Sequence, residues 1–73
     1  MKQKITKQKI LSYIKFVVDG ATISGIFKNL KVKKNYQNLL KIQGFIDELI
    51  EERKIRCGFY LTKSEKGIEY FSN

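Results

Sequence analysis

Histidine and proline are absent from this 73-residue sequence, and cysteine occurs once. Without histidine the chain lacks the commonest general base and metal ligand. The lone Cys57, with no histidine beside it, makes neither a metal site nor an activated nucleophile, and it cannot staple a fold. Such cysteine usage fits a reducing, intracellular setting. No apolar run approaches the ~18 residues that a membrane span needs. Residues 1–10, MKQKITKQKI, are basic but lack the apolar segment and small-residue cleavage site of a signal peptide. No glycine-rich phosphate loop is found. Asp47, Glu48, Glu51 and Glu52 recur at helical spacing and read as a solvated face with Arg53 and Lys54 rather than as an acid–base pair. The expectation is therefore a protein that is not an enzyme, with no metal, no cofactor, no membrane association and no small-molecule effector in evidence.

Acidic residues are also scarce in one half. Residues 1–41 hold ten lysines and one acid, Asp19, whereas residues 42–73 hold five basic residues and six acids. The net charge of +8 thus belongs to the first half. A one-sided excess is the electrostatic footprint expected of a protein that meets a polyanion. Lysine outnumbers arginine thirteen to two. Lysine is a point charge suited to phosphate, while arginine is the better reader of guanine edges. Base reading would then fall to Asn, Gln and Tyr.

Hydrophobic residues make up 42% of the chain, which is too many for disorder, and 73 residues make one domain. A chain this short buries only ~60% of its unfolded surface, so help from a second subunit is a fair expectation. Ile10, Leu11, Ile14, Val17 and Val18 share one face of a helix over residues 5–18, with Thr6 as N-cap and Asp19-Gly20 as the stop. Ile5 and Phe16 point to nearly the opposite side, and Tyr13 sits at the margin. Two readings stay open for these three: ordinary scattered exposure, or a second apolar stripe that packs on a partner subunit as a dimer interface or on the chain's own C-terminal end. Residues 22–30 form a short second helix, capped by Thr22 or Ser24, with Ile23, Ile26, Phe27 and Leu30 inward.

A third helix runs from about Asn35 to Arg53, with Leu39, Ile42, Ile46, Leu49 and Ile50 along its packed stripe. Its start is basic and amide-rich: Lys31, Lys33, Lys34, Asn35, Tyr36, Gln37, Asn38 and Lys41. Lysines at a helix N-terminus and carboxylates towards its C-terminus oppose the macrodipole, so helix stability does not explain them. A DNA recognition helix has this division of labour, with its first turns on the nucleic acid and its later turns anchored. Lys28, Lys31, Lys33, Lys34 and Lys41 would meet phosphates. Asn35, Gln37 and Asn38 can pair with adenine edges, or Asn35 simply caps the helix. Tyr36 either touches phosphate or packs beside Val32. Gly44 either admits another helix or marks a bend. After Lys54, residues 55–61 read as a small hairpin turning at Gly58, with Arg56 placed to follow a groove or backbone. Thr62 and Glu65 make a capping box for a last helix over residues 63–71, with Ile68 and Phe71 on the core.

Three helices, a hairpin and a closing helix is the order of a winged helix-turn-helix, an α+β and mostly helical fold. The ending LTKSEKGIEYF, residues 61–71, resembles the "L-T-x-K-G-x-E-Y-L" that follows the wing in small archaeal winged-helix regulators, and more loosely in PadR and MarR-like groups. FIDELIEERKI, residues 45–55, is similar to the family's "Y-L-x-x-L-x-x-x-G-L-I", with Lys54 where the family usually has glycine. TISGIFKNLKV, residues 22–32, matches the second helix and turn by pattern. The resemblance spans residues 10–71. It implies double-stranded DNA binding as a homodimer and transcriptional control. Two rivals remain at this stage: a winged-helix adaptor that binds a protein partner, and a sequence-neutral DNA-packaging protein. Lys2, Lys4, Lys7 and Lys9 make a basic N-terminal arm, flexible over residues 1–5, that either adds backbone contacts or is simply frayed.

Overall fold

Thr6, Thr22 and Asn35 each set the start of a helix. In the computed structural model, which describes residues 4–61 and 66–73, their side-chain oxygens accept the backbone N–H groups of Lys9, Gly25 and Asn38 at 3.1, 3.1 and 2.8 Å. Each cap satisfies a donor that a helix N-terminus otherwise leaves open. Helices α1 (Lys7–Phe16), α2 (Ile23–Leu30) and α3 (Tyr36–Glu51) follow from them. After α3 the period changes from helical to alternating, and strands β1 (Ile55–Leu61) and β2 (Lys66–Ser72) pair antiparallel from Ile55↔Ser72 to Leu61↔Lys66. The protein is thus a small α+β fold of three helices and a two-stranded hairpin, an order compatible with a winged helix. No helix among the described residues is long and apolar enough to cross a membrane.

The core gathers one side of every element. Ile10, Leu11 and Ile14 come from α1, Ile26, Phe27 and Leu30 from α2, and Ile42, Ile46 and Leu49 from α3, closed by Ile55 of β1 and Tyr70 of β2. Burial pushes the Tyr70 phenol above its ordinary pKa, so the neutral form is the one the core accepts. Between α1 and α2, Ala21 pairs with Tyr70 through two backbone hydrogen bonds of 2.8 and 2.7 Å and ties the hairpin to the helices. Gly20 makes that approach with φ +112, and a Cβ there would collide with the Glu69 side chain.

The C-terminal part corrects four expectations. Residues 55–61 are one strand rather than a whole hairpin, and Gly58 lies in its middle rather than at a turn. A Cβ on Gly58 would sit 3.3 Å from the Phe71 ring, which crosses the strand there. Residues 66–72 are a strand and not a helix. The ladder to β1 satisfies their backbone, and the alternation that buries Tyr70 leaves Ile68 half exposed instead of in the core. The proposed capping box, Thr62 to Glu65, lies outside the described residues.

Two further differences concern α1. The helix ends at Phe16, and Val17 turns to extended backbone, so Val18 is swung into solvent rather than added to the core face. Ile5 precedes the helix, so helical spacing does not apply to it, and it packs against the core. Gly44 admits no close neighbour, since no heavy atom outside its own helix backbone and flanking residues comes within 4 Å of a Cβ built there, and α3 continues through it to Glu51.

Candidate nucleic-acid interface

Leu30 closes α2, and the next residue, Lys31, turns the chain with φ 56 and ψ 38. That left-handed conformation is uncommon for a residue with a side chain and is usually given to glycine. Here it carries a lysine into an open cleft of about 480 Å³ lined by Ser24, Phe27, Lys28, Lys31, Val32 and Lys34. Phe27 is buried and Val32 half-buried, and around them stand three ammonium groups and the Ser24 hydroxyl. The Lys34 ammonium donates to Ser24 Oγ at 3.3 Å. No acid among the described residues lines the cleft. Three cations and a hydroxyl around an open hollow can take the oxygens of a phosphate.

The start of α3 borders this cleft and is locked from within. Asn35 caps the helix, Asn38 Nδ2 donates to the Lys33 carbonyl at 2.7 Å, and the Asn35 N–H donates to that same carbonyl at 3.0 Å. The cap alternative for Asn35 is therefore the one the geometry carries. Two of the three amides expected at base edges are engaged with the chain's own backbone. Gln37 stays exposed, as do Lys33 and Lys41. Of the two positions open to Tyr36, the exposed one is taken, with 71% of its surface free.

Leu40 joins this surface, 53% exposed and one turn beyond Tyr36. The sequence held the signal: Leu40 is two residues before fully buried Ile42, and so ~200° away around the helix. Gly44 follows one turn later with open space above it. The solvent face of the first half of α3 thus reads Tyr36, Gln37, Leu40, Lys41 and Gly44. A phenol, an amide, an apolar branch and an ammonium are the groups that meet base edges, thymine methyls and phosphates. The second half of α3 is different. Gln43 donates to Asp47 at 3.1 Å, and Lys7 of α1 reaches Glu52 at 2.7 Å and Glu48 at 3.7 Å. No acid lies in the first turn of α3 and no base in its last, so neither end complements the macrodipole.

No protein-family model, curated protein or solved structure matches this chain. The remaining expected residues fall apart from the cleft. Arg56 lies at the foot of the hairpin rather than its far end, with its guanidinium 5.5 Å from the Phe71 ring centre, a cation–π contact. Ile5, Tyr13 and Phe16 do not make one exposed stripe: Ile5 and Tyr13 pack against the core, and Phe16 alone is exposed. Lys7, first assigned to a basic arm, is the first residue of α1 and is tied to Glu52.

Proposed function

We propose that this chain binds double-stranded DNA as a winged helix-turn-helix protein and acts in transcriptional control. In this reading α2 and α3 are the helix-turn-helix pair, α3 enters the major groove, and the hairpin is a wing beside the flanking backbone. The carrying observation is the three-lysine cleft that runs into the exposed first turns of α3, a surface with no acid in it. Lys28, Lys31, Lys34 and Lys41 hold phosphates, and Gln37, Tyr36 and Leu40 face base edges. The protein works without catalysis, and its target is the polyanion itself. The Ala21–Tyr70 bridge supports the winged-helix reading, because it joins hairpin and helix pair into one unit.

The test is a salt titration of binding to two duplexes, the DNA upstream of the encoding gene and a scrambled control. Four phosphate contacts predict a slope of log affinity against log salt of about −3.6, at about −0.9 per contact. A preference of at least ~1,000-fold for the upstream DNA at physiological salt is the result expected of a regulator. Equal, steep binding to both duplexes would favour packaging instead. That outcome has a specific motive, since Asn35 and Asn38 are occupied by capping. No binding at low salt would overturn the DNA reading. Lys31→Gly sharpens the test. Glycine relieves the left-handed backbone, so the variant should be as stable or more so, yet its salt slope should fall by about 0.9.

A further inference from the structure

We infer that two copies of this chain associate through the outer edge of β1, forming one continuous four-stranded sheet. β2 pairs with β1 on one side and, at Tyr70, with Ala21 on the other, whereas among the described residues β1 pairs with β2 alone and packs on α3 through Ile55 at its inner end. Alternate residues of the seven-residue strand β1 therefore present open backbone donors and acceptors on its outer edge. Proteins normally guard such an edge with lysine, proline or a bulge. Here residues 57–61 are uncharged, proline is absent, and the ladder to β2 is regular.

The faces of the hairpin add to this. Ile55 and Tyr70 anchor one face on the core, and further out the same face carries Phe59, Leu61 and Ile68, which are 90%, 81% and 49% exposed. At ~200 Å² for a large side chain, these three expose on the order of 400 Å² of apolar surface per copy. A standard interface buries ~800 Å² per partner, and the paired strand backbones can supply much of the remainder. A second copy fits better than other occupants for two reasons. An antiparallel strand pair is its own two-fold partner, so the edge of β1 complements itself without any second surface. A chain of net charge +8 repels its copy, and residues 57–61 add no charge of their own to that repulsion. The same lack of charge makes this strip a poor match for phosphate. The inference stands independently of DNA binding.

Sedimentation over a concentration series tests it. The wild-type chain should pass from monomer to dimer, and Phe59→Lys should remain monomeric with unchanged circular dichroism, because Phe59 touches little of its own chain. Cys57 is the sole cysteine, so it reports the geometry. In a register centred on Phe59 the two Cys57 residues lie four residues apart along the sheet, about 14 Å. A bismaleimide of that span should give a covalent dimer that Phe59→Lys prevents. Lys31→Gly should weaken DNA binding and leave the dimer intact, which separates the two surfaces. A wild-type monomer at all concentrations, or a dimer that survives Phe59→Lys, would overturn the inference. A monomer that loses DNA affinity on Phe59→Lys would also overturn it and give the strip to DNA.

Discussion

Two parts of the molecule project from the core, and both display large apolar side chains. The first turns of α3 show Tyr36 and Leu40, and the outer half of the hairpin shows Phe59, Leu61 and Ile68. Their surroundings differ. The helix start is ringed by lysines and pinned from within by the Asn35 cap, the Asn38–Lys33 bond and the Lys34–Ser24 contact. The outer half of β1 has no charge and is held by its ladder to β2. An exposed apolar side chain thus takes its meaning from its neighbours. Among cations and amides it adds to the surface proposed for a polyanion, and along an uncharged open strand to the surface proposed for another strand.

Both projections depend on one core, so the largest expected effect lies beneath them. Ile46→Ala empties a fully buried site in α3 and should cost about 2–5 kcal/mol by urea denaturation. Stability of ~0.05–0.15 kcal/mol per residue gives this chain a total of about 4–11 kcal/mol, so the variant should be close to unfolding. Phe59→Ala, measured where the chain is monomeric, should stay within about 0.5 kcal/mol of wild type. Equal costs at the two sites would break the comparison, because the outer hairpin would then have to be buried within a single chain.

A smaller effect separates anchoring from reading at the start of α3. Asn35→Ala removes the cap and should cost about 1 kcal/mol of stability, seen as a lower urea midpoint. Its effect on DNA should be similar for every duplex, since a loosened helix start weakens all contacts alike. A loss confined to one DNA sequence would show that Asn35 reads a base and that the cap is secondary.

Helices were legible because their signals are local. Thr6, Thr22 and Asn35 name their own starts, and the 3.6-residue period names the buried faces. Failures came where a distant segment decides. IEYF, residues 68–71, suits a helix end or a strand until β1 is known to lie beside it, and pairing then settles the backbone. Gly58 reads as a turn until the Phe71 ring is seen packed close beside it in the ladder. Arg53, just after α3, holds φ 60, a left-handed position that no glycine marks in the sequence. In the site, the lysines were legible as a cluster. Their convergence with Ser24 was not, because it depends on how the chain turns at Lys31.

The smallest expected effect concerns a lysine that belongs to the basic half by sequence but not by role. Its hydrogen bond to Glu52 holds the Lys7 ammonium above its ordinary pKa, and the same bond, with a second from Lys54, holds the Glu52 carboxyl below its own. Glu52 therefore adds stability that is present above the ordinary carboxylate value of 4.5 and is lost as pH falls through the lowered folded value. Lys7 adds stability that is complete below 10.5 and is lost as pH rises through the raised one. Between those limits the pair is constant. It is exposed, so its contribution should be small and should shrink with salt. The stability gap between wild type and Glu52→Gln should close as the solution is acidified below pH 4.5. The same pairing bears on the two projections: Lys7→Gln should leave the salt slope of DNA binding unchanged, whereas Lys31→Gly lowers it. If both variants lowered the slope equally, the polyanion surface would extend across α1, and the contrast between a lysine cluster at α3 and an internally neutralised lysine at α1 would fail.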